Sequence, residues 1–291
     1  MEKIGIVTDI ADLTQEITTK YQIAVAPAKF NWPEIENLPG ENTFQKMREA
    51  GKRGIKSFGK TSQPSVKDYL DNYNYQLERF DKVICVTLTS KLSGGYNSAV
   101  QARRLLEPEK QERVFVIDSL NGSCGQGLIV LKAVDLIQSG KGIKEVLEEI
   151  EKFIHQIHFY LLLADPKWLE ASGRISSLVA NILRQVAKAG IRPLLSFKNG
   201  LLVPAGIKTG AKDIPNALFK QFEAEARKII EEGKKIRVAI THGDDLEGAK
   251  RLKEMIEKEF KCVEVAYLNI INDIVAVVTG PGTLILAWCE I

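Results

Sequence analysis

Short apolar runs recur along the chain, and most of them lack the alternation of a half-exposed strand. Unbroken apolar runs of this length are typical of parallel strands covered on both faces. The predicted strands are residues 4–9, 82–88, 113–118, 158–163, 235–241 and 262–268. Apolar residues recur every three or four positions over 143–154 and 246–260, which predicts amphipathic helices there. Because strands and helices alternate, we expect an α/β fold with right-handed crossovers.

The length of 291 residues favours two lobes, since single cores stop growing near about 250–300 residues. We place the boundary after the helix over 143–154, which gives predicted lobes of residues 1–156 and 157–291. The first lobe is expected to contain a mainly parallel, doubly wound sheet. In the second, Asn199 and Gly200 supply the favoured turn of a hairpin over 192–204. A mixed sheet flanked by helices is therefore expected there.

Composition excludes several classes of protein. Hydrophobic residues make up 45% and charged residues 26% of the chain, which is ordinary for a globular protein. The chain has 40 Lys and Arg residues and 37 Asp and Glu residues, so its net charge gives no reason to expect nucleic-acid binding. No apolar run approaches the ~20 residues that span a bilayer. The N-terminus lacks the basic region and cleavage site of an export signal, so we expect a cytoplasmic protein without stable membrane insertion.

The chain contains little material for metal chemistry. It has three histidines and four cysteines. The cysteines are scattered, and no pair of them shows the close spacing of a zinc site. We therefore expect neither a metal nor a cofactor.

One segment matches the phosphate-loop pattern G-x-x-x-x-G-K-[ST], from Gly54 to Thr61. With Lys60, Thr61 and the strand-end Asp118, it raises the alternative of a nucleotide-dependent small-molecule kinase or hydrolase. A phosphate loop must follow a buried strand and open into a helix. Here the preceding stretch, residues 44–53, is helical and charged, and a capping box from Ser65 to Asp68 delays the next helix. A chance match is therefore the favoured interpretation.

Polar loops follow several predicted strands, where ligands gather in open α/β sheets. Ser93, Gly94 and Gly95 form the best candidate for holding an anion, because a helix N-terminus leaves N–H groups unpaired. A serine at such a position also serves simply as a helix cap. Thr61 or Ser62 could likewise only organise a turn. Composition does not separate these alternatives.

Six segments occur in the order seen in the DegV family, which the chain resembles along its full length. They read Ile-Val-Thr-Asp at 6–9, Thr-Ser-Gln-Pro-Ser at 61–65, Ser-Lys-Leu-Ser-Gly-Gly-Tyr-Asn-Ser-Ala at 90–99, Val-Ile-Asp-Ser at 116–119, Ser-Gly-Arg-Ile-Ser at 172–176 and Thr-Gly-Pro-Gly at 279–282. The resemblance implies a two-lobed α/β protein that binds a long-chain fatty acid such as palmitate or oleate. It further implies a non-catalytic, acyl-binding subunit that presents the carboxylate to a separate, ATP-using fatty acid kinase subunit.

The resemblance also assigns residues. Thr61 and Ser93 correspond to the hydroxyls that hydrogen-bond the fatty-acid carboxylate, with Ser62, Gly94 and Gly95 beside them. These loops would belong to the first lobe, and the second lobe would help to enclose the acyl chain. In the same way, Arg174 corresponds to an arginine linked with the kinase contact.

The chain departs from the family at three places, one of which is the basic segment after the hairpin, residues 208–212, which aligns only loosely. The segment Asp9-Ile10-Ala11-Asp12-Leu13 is a residue shorter than its family counterpart and lacks its hydroxyls. Val278 stands where a histidine is common. If that histidine assists the carboxylate or phosphoryl transfer, the chain would bind lipid and be a poorer kinase partner. A lipid sensor that regulates a partner protein is a further alternative.

Overall fold

The computed structural model describes residues 2–175, 177–188, 192–208 and 213–291, so Ser176 of one family segment lies outside the described residues. The strands are β1 (Ile4–Thr8), β2 (Ala24–Val25), β3 (Lys29–Asn31), β4 (Lys60–Ser62), β5 (Lys82–Thr87), β6 (Val114–Asp118), β7 (His158–Leu162), β8 (Arg192–Lys198), β9 (Leu201–Lys208), β10 (Ile236–His242), β11 (Val263–Ile270) and β12 (Leu284–Glu290). Each predicted strand is thus present, with ends that differ by one or two residues.

The helices alternate with these strands. They are α1 (Gln15–Lys20), α2 (Pro33–Glu36), α3 (Thr43–Lys52), α4 (Val66–Leu77), α5 (Gly95–Arg104), α6 (Pro108–Gln111), α7 (Ser123–Gln138), α8 (Ile143–Phe153), α9 (Lys167–Ala171), α10 (Ser177–Lys188), α11 (Ile214–Glu231), α12 (Leu246–Glu259) and α13 (Asp273–Thr279). Both helices predicted from apolar spacing are present as α8 and α12. None of the helices in the described ranges is long and apolar enough to cross a membrane.

The chain folds as two compact units, and each is assembled from separate stretches of sequence. Unit 1 comprises Met1–Lys29, Ser62–Ile157 and Asn199–Leu201. Unit 2 comprises Phe30–Thr61, His158–Lys198 and Leu202–Ile291. The predicted lobes, 1–156 and 157–291, differ from these units mainly in residues 30–61, which belong to unit 2. Strands β3 and β4 form a separate two-stranded sheet.

Residues 30–61 belong to unit 2 because their partners there lie far along the chain. Asn42 Nδ2 donates to Asp244 Oδ1 at 3.0 Å, and Thr43 Oγ1 donates to Asp273 Oδ1 at 2.6 Å. Phe44 is fully buried in the same stretch. Contacts across more than two hundred residues leave no trace in local hydrophobic spacing, which explains why the sequence predicted a single boundary.

Unit 1 is built on a parallel sheet in the order β2-β1-β5-β6. One face packs against α4 and α5, where Tyr69, Tyr73 and Ala99 meet Val7 and Cys85 of the strands. Helix α7, which is buried along most of its length, packs against β1 and β5. The all-parallel sheet confirms the prediction for the first lobe, and its central strands β1 and β5 are mostly apolar because both faces are covered.

Unit 2 is built on a mixed sheet in the order β11-β10-β12-β7-β8-β9. Strands β10 and β11 are parallel, whereas β12 is antiparallel to both β10 and β7. Helices α11 and α12 contribute Phe222 and Leu252 to the core of this sheet. The turn that joins β8 to β9, whose residues are counted with unit 1, has φ of 51° at Asn199 and 79° at Gly200, as a type I′ turn requires. The mixed sheet was predicted, but β12 was not.

Candidate functional site

The loop between β5 and α5 in unit 1 contains a tight turn over residues 89–95, named here the Ser93 turn. Leu92 N and Ser93 N both donate to Thr89 O, at 3.2 and 3.3 Å. Ser93 Oγ accepts a hydrogen bond from Gly95 N at 3.1 Å, and the N-cap residue Gly94 offers no side chain. No residue that the structure describes accepts the hydrogen of the half-buried Ser93 hydroxyl. The turn therefore presents a hydroxyl donor at the start of a ten-residue helix.

A buried carboxylate lies at the carboxyl end of β1 and joins four parts of unit 1. Asp9 Oδ1 accepts from Ile10 N at 2.6 Å, from Leu88 N at 2.9 Å and from Gln126 Nε2 at 2.7 Å. Tyr69 OH donates to Asp9 Oδ2 at 2.8 Å. These four donors hold the ends of β1 and β5 to α4 and α7.

Gly95 connects this carboxylate with the turn. A Cβ at residue 95 would lie 3.2 Å from both Asp9 Oδ2 and Tyr69 OH, and 3.4 Å from Ser93 Oγ. The Asp9 cluster, defined here as Asp9, Tyr69 and Gln126, thus lies directly behind the first residue of α5. Any side chain at residue 95 would crowd it.

Burial sets the electrostatics of the Asp9 cluster. Desolvation raises the pKa of the Asp9 carboxyl above its ordinary range, while its four hydrogen bonds act in the opposite direction. The pKa of Tyr69 is raised by its own burial and by the neighbouring Asp9. Tyr69 therefore remains a neutral donor to Asp9.

A second polar pair lies in unit 2. Arg174 Nη2 donates to Thr61 Oγ1, and both side chains are half-buried. Burial lowers the pKa of the Arg174 guanidinium. Within the described parts of the chain, no carboxylate pairs with this guanidinium. The pair therefore combines a hydroxyl with a cation whose charge is not matched by a neighbouring acid.

The structure groups the predicted site residues in two sets. Ser62, Ser93, Gly94 and Gly95 belong to unit 1, and Thr61 and Arg174 to unit 2. Ser62 is exposed, and its Oγ donates to Lys29 O at 3.5 Å. In the sequence analysis Thr61 and Arg174 have separate roles, a ligand contact and a partner contact, and their mutual hydrogen bond was not predicted.

The phosphate-loop match lies in the wrong structural context, as expected. Helix α3 precedes it and strand β4 follows it, so it is not a strand-to-helix loop. Its residues Ser57 and Phe58 help to line a cavity of about 450 Å³ in unit 2, beside Trp32 and Trp168. Ser57 Oγ accepts from Trp32 Nε1 at 3.0 Å. The segment thus forms part of an aromatic wall.

Asp118, proposed in the nucleotide alternative, organises backbone instead. Its Oδ1 accepts from Ser90 N and from Leu120 N, both at 3.1 Å. Over the described ranges, no cluster of three His, Cys, Asp or Glu side chains is arranged to hold a metal ion.

Sequence reasoning missed the partners of Asp9. Gln126 is fully buried within α7, where almost every neighbour is apolar. A lone amide in such a helix is a detectable signal, because a buried polar group needs hydrogen-bond partners. Tyr69 offered no comparable signal in the sequence, since tyrosine is common on the buried face of a helix.

Comparison with known proteins identifies the family. The family model described as "Uncharacterised protein, DegV family" matches residues 3–290. The chain belongs to the DegV family. It is 31% identical over 296 residues to a protein of Thermotoga maritima named fatty acid-binding protein, covering 97% of this chain and 96% of the relative. The resemblance found in the sequence is thus confirmed.

Solved DegV structures share the fold. A fatty-acid-binding DegV family protein from Thermus thermophilus is 28% identical, with a TM-score of 0.84 and coverage of 99% of this chain and 100% of that one. A DegV family protein from Ruminococcus gnavus, described with vaccenic acid, is 25% identical, with a TM-score of 0.77 and coverage of 98% and 99%. The predicted two-sheet α/β fold is confirmed by these DegV structures and by the two main sheets of the chain.

Proposed function

We propose that this chain binds a long-chain fatty acid, such as palmitate or oleate, and does not itself catalyse a reaction. The observation that carries the proposal is its similarity over nearly its whole length to the Thermotoga maritima fatty acid-binding protein. The Ser93 turn supports it, because a free hydroxyl donor at a helix start suits a carboxylate.

The head group is proposed to be held by the Ser93 hydroxyl and by the backbone amide of Gly94, while the backbone amide of Gly95, which donates to Ser93 Oγ, orients that hydroxyl. The hydroxyls of Thr61 and Ser62 are proposed as further donors, as the family resemblance implies. Hydrogen bonds to an ionised carboxylate are shorter and stronger than those to neutral groups. The head-group contacts would therefore orient the ligand, and residues 157–291 would help to enclose its apolar chain.

Burial of the acyl chain supplies most of the affinity in this proposal. A chain of about sixteen carbons gains roughly 0.8 kcal/mol for each buried methylene, on the order of 11 kcal/mol in total. Association and ordering cost about 4–15 kcal/mol. Useful affinity therefore requires a dry, preformed enclosure.

We further propose that the bound carboxylate is presented to a separate ATP-using kinase subunit, which forms an acyl phosphate. Arg174 is the proposed partner contact, since its half-buried guanidinium has no carboxylate partner within the described residues. Val278 lies half-buried in α13 and offers no imidazole to assist that step. A reconstituted mixture of chain, kinase subunit, oleate and Mg-ATP should form acyl phosphate. The yield should fall with Arg174→Ala at saturating oleate, and an unchanged yield would remove Arg174 from this role.

Native mass spectrometry tests the lipid proposal directly. We expect bound fatty acid in the purified protein, or uptake when palmitate or oleate is added to delipidated protein. Mass analysis of the extracted ligand would also establish acyl length and unsaturation. The absence of any acyl adduct under both conditions would refute the proposal.

The Ser93 hydroxyl is tested by substitution. Ser93→Ala should weaken oleate binding about tenfold, because a bond to a charged group contributes roughly 1.5 kcal/mol or more. Ser139→Ala is a matched control, since Ser139 follows the far end of α7 and is exposed. Equal affinities of the two variants, measured by titration calorimetry, would exclude Ser93 from the site.

A further inference from the structure

The side chain of Gln63 covers the backbone of Gly94 within unit 1. The point at which a Cβ of residue 94 would lie is 2.5 Å from Gln63 Nε2, 2.9 Å from Cδ and 3.0 Å from Oε1. Because these distances are similar, the whole amide group of Gln63 lies over Gly94, and not only its nitrogen or its oxygen. Only a residue without a side chain at position 94 permits this contact.

The backbone on the C-terminal side of Gln63 is firmly placed. Pro64 is buried, and Ser65 is the N-cap of α4. Ser65 Oγ accepts from Asp68 N at 3.1 Å, and Ser65 N donates to Asp68 Oδ2 at 2.8 Å. The residue that follows Gln63 is thus fixed by burial and the next by a capping box, so the point from which the exposed Gln63 side chain extends beside the Ser93 turn is fixed.

The hydrogen-bonding capacity of Gln63 is unused by the protein. Within the described ranges, its amide forms no hydrogen bond with another residue, although it lies against Gly94. A primary amide can donate two hydrogen bonds. Two unused donors, Gln63 Nε2 and the Ser93 hydroxyl, therefore adjoin the same short turn.

We propose that Gln63 is a further head-group residue, whose Nε2 donates a hydrogen bond to a ligand carboxylate bound at the Ser93 turn. The inference rests on the proposed function and adds a determinant of head-group specificity to it. An ionised carboxylate accepts hydrogen bonds but donates none, so two donors at one turn suit it. A fatty alcohol lacks the charge that strengthens such bonds.

The test compares oleate with oleyl alcohol, which shares the acyl chain and lacks the carboxylate. Delipidated full-length protein is titrated with each probe. Gln63→Met keeps the length of the side chain and removes the donor, whereas Gln63→Glu adds a negative charge. Gln101→Met is the matched control, because Gln101 is an exposed glutamine on α5. Since Gln63 is also exposed, thermal unfolding without ligand should be the same for all variants.

Gln63→Met is expected to weaken oleate binding about tenfold and oleyl alcohol binding much less, because a hydrogen bond to a neutral hydroxyl is weaker than one to a carboxylate. Gln63→Glu is expected to weaken oleate binding further, because two negative charges would adjoin. Unchanged or tighter oleate binding by Gln63→Met would overturn the inference, since the amide would then contribute nothing to binding or would oppose it. Equal losses for both probes would also overturn it, because a hydrogen bond to an ionised carboxylate is stronger than one to a neutral hydroxyl and its loss should cost more. Failure of the unmodified protein to bind oleate would instead refute the proposed function, and the inference with it.

Discussion

Two glycine-containing loops of this chain differ in the elements that flank them. The segment Gly54–Thr61 matches a well-known motif, yet it leads from helix α3 to strand β4. The Ser93 turn matches no phosphate-loop pattern, yet it leads from strand β5 to helix α5. Only the second has the backbone context of an anion site. Flanking elements, more than the spacing of glycines, therefore determine what a loop can bind.

The two loops also differ in what lies behind them. The Asp9 cluster is packed directly behind Gly95. By contrast, a Cβ added at Gly54 would meet nothing within 4 Å. We therefore expect Gly95 to be constrained by its buried surroundings and Gly54 mainly by its own backbone conformation.

Removal of the carboxylate behind the turn should destabilise the protein most. Asp9→Ala leaves the Tyr69 phenol and two backbone N–H groups without their acceptor, and the Gln126 amide keeps only its bonds to Thr8 Oγ1 and Val86 O. A buried donor without a partner costs about 1–3 kcal/mol, so we expect the free energy of unfolding to fall by about 3 kcal/mol. Urea denaturation measures this change. Asp71→Ala, on the exposed side of α4, serves as control and should change stability little. A similar small loss for both variants would show that the Asp9 cluster does not support the turn.

A pair of glycine substitutions compares the loops directly. Gly95→Ala should cost about 2 kcal/mol through overpacking, because its Cβ would crowd Asp9 and Tyr69. Gly54→Ala should cost about 1 kcal/mol for a different reason, the φ of +70° at Gly54.

A double-mutant cycle separates these two causes. Tyr69→Phe removes the hydroxyl that the Gly95→Ala methyl would meet, so the two changes should be less than additive. Gly54→Ala should be additive with Tyr69→Phe. Additivity in both cycles, read from denaturation midpoints, would contradict the packing explanation for Gly95.

The smallest of the expected effects is the dependence of stability on pH that arises from Asp9. Burial raises the pKa of Asp9 above its ordinary value of 3.8. The stability that arises from protonated Asp9 is therefore present below that value and is lost as the pH rises through the raised pKa. A tenfold change in a protonation equilibrium corresponds to about 1.4 kcal/mol of stability.

Asp9→Asn tests this dependence, because an amide keeps three acceptor contacts and can donate to Tyr69 instead of accepting from it. The variant should gain stability relative to the unmodified protein as the pH is raised from about 4 to about 8. Parallel stability profiles of the two proteins across this range would show that Asp9 does not titrate as expected.

Local pattern predicted much of this fold. Strands β1, β5 and β6 could be recognised as apolar runs in the sequence, because both faces of their sheet are covered. The turn at Asn199 and Gly200 and the capping box at Ser65 were predicted because their signals lie within a few residues. The division into the two units was not predicted, because residues 30–61 bind partners more than two hundred positions away.

The candidate site was predicted less completely. The loops that contain Ser93 and Thr61 were found through strand ends and family segments. The contact of Gln63 with Gly94 was not found, because it joins distant loops through an exposed side chain that carries no burial signal. The hydrogen bond between Arg174 and Thr61 was also missed, because 113 positions separate the two residues in the sequence.

The discontinuity of the two units affects how the chain can fold during synthesis on the ribosome. Residues 30–61 emerge early, but their partners at Asp244 and Asp273 emerge close to the end of translation. Until then Phe44, which is buried in the folded chain and lies beside Gly243, lacks that part of its surroundings. Its side chain must therefore remain incompletely packed during most of translation, when exposed hydrophobic surface favours aggregation. A truncation after residue 156 would retain this segment and never supply its partners, so it should precipitate or recruit chaperones.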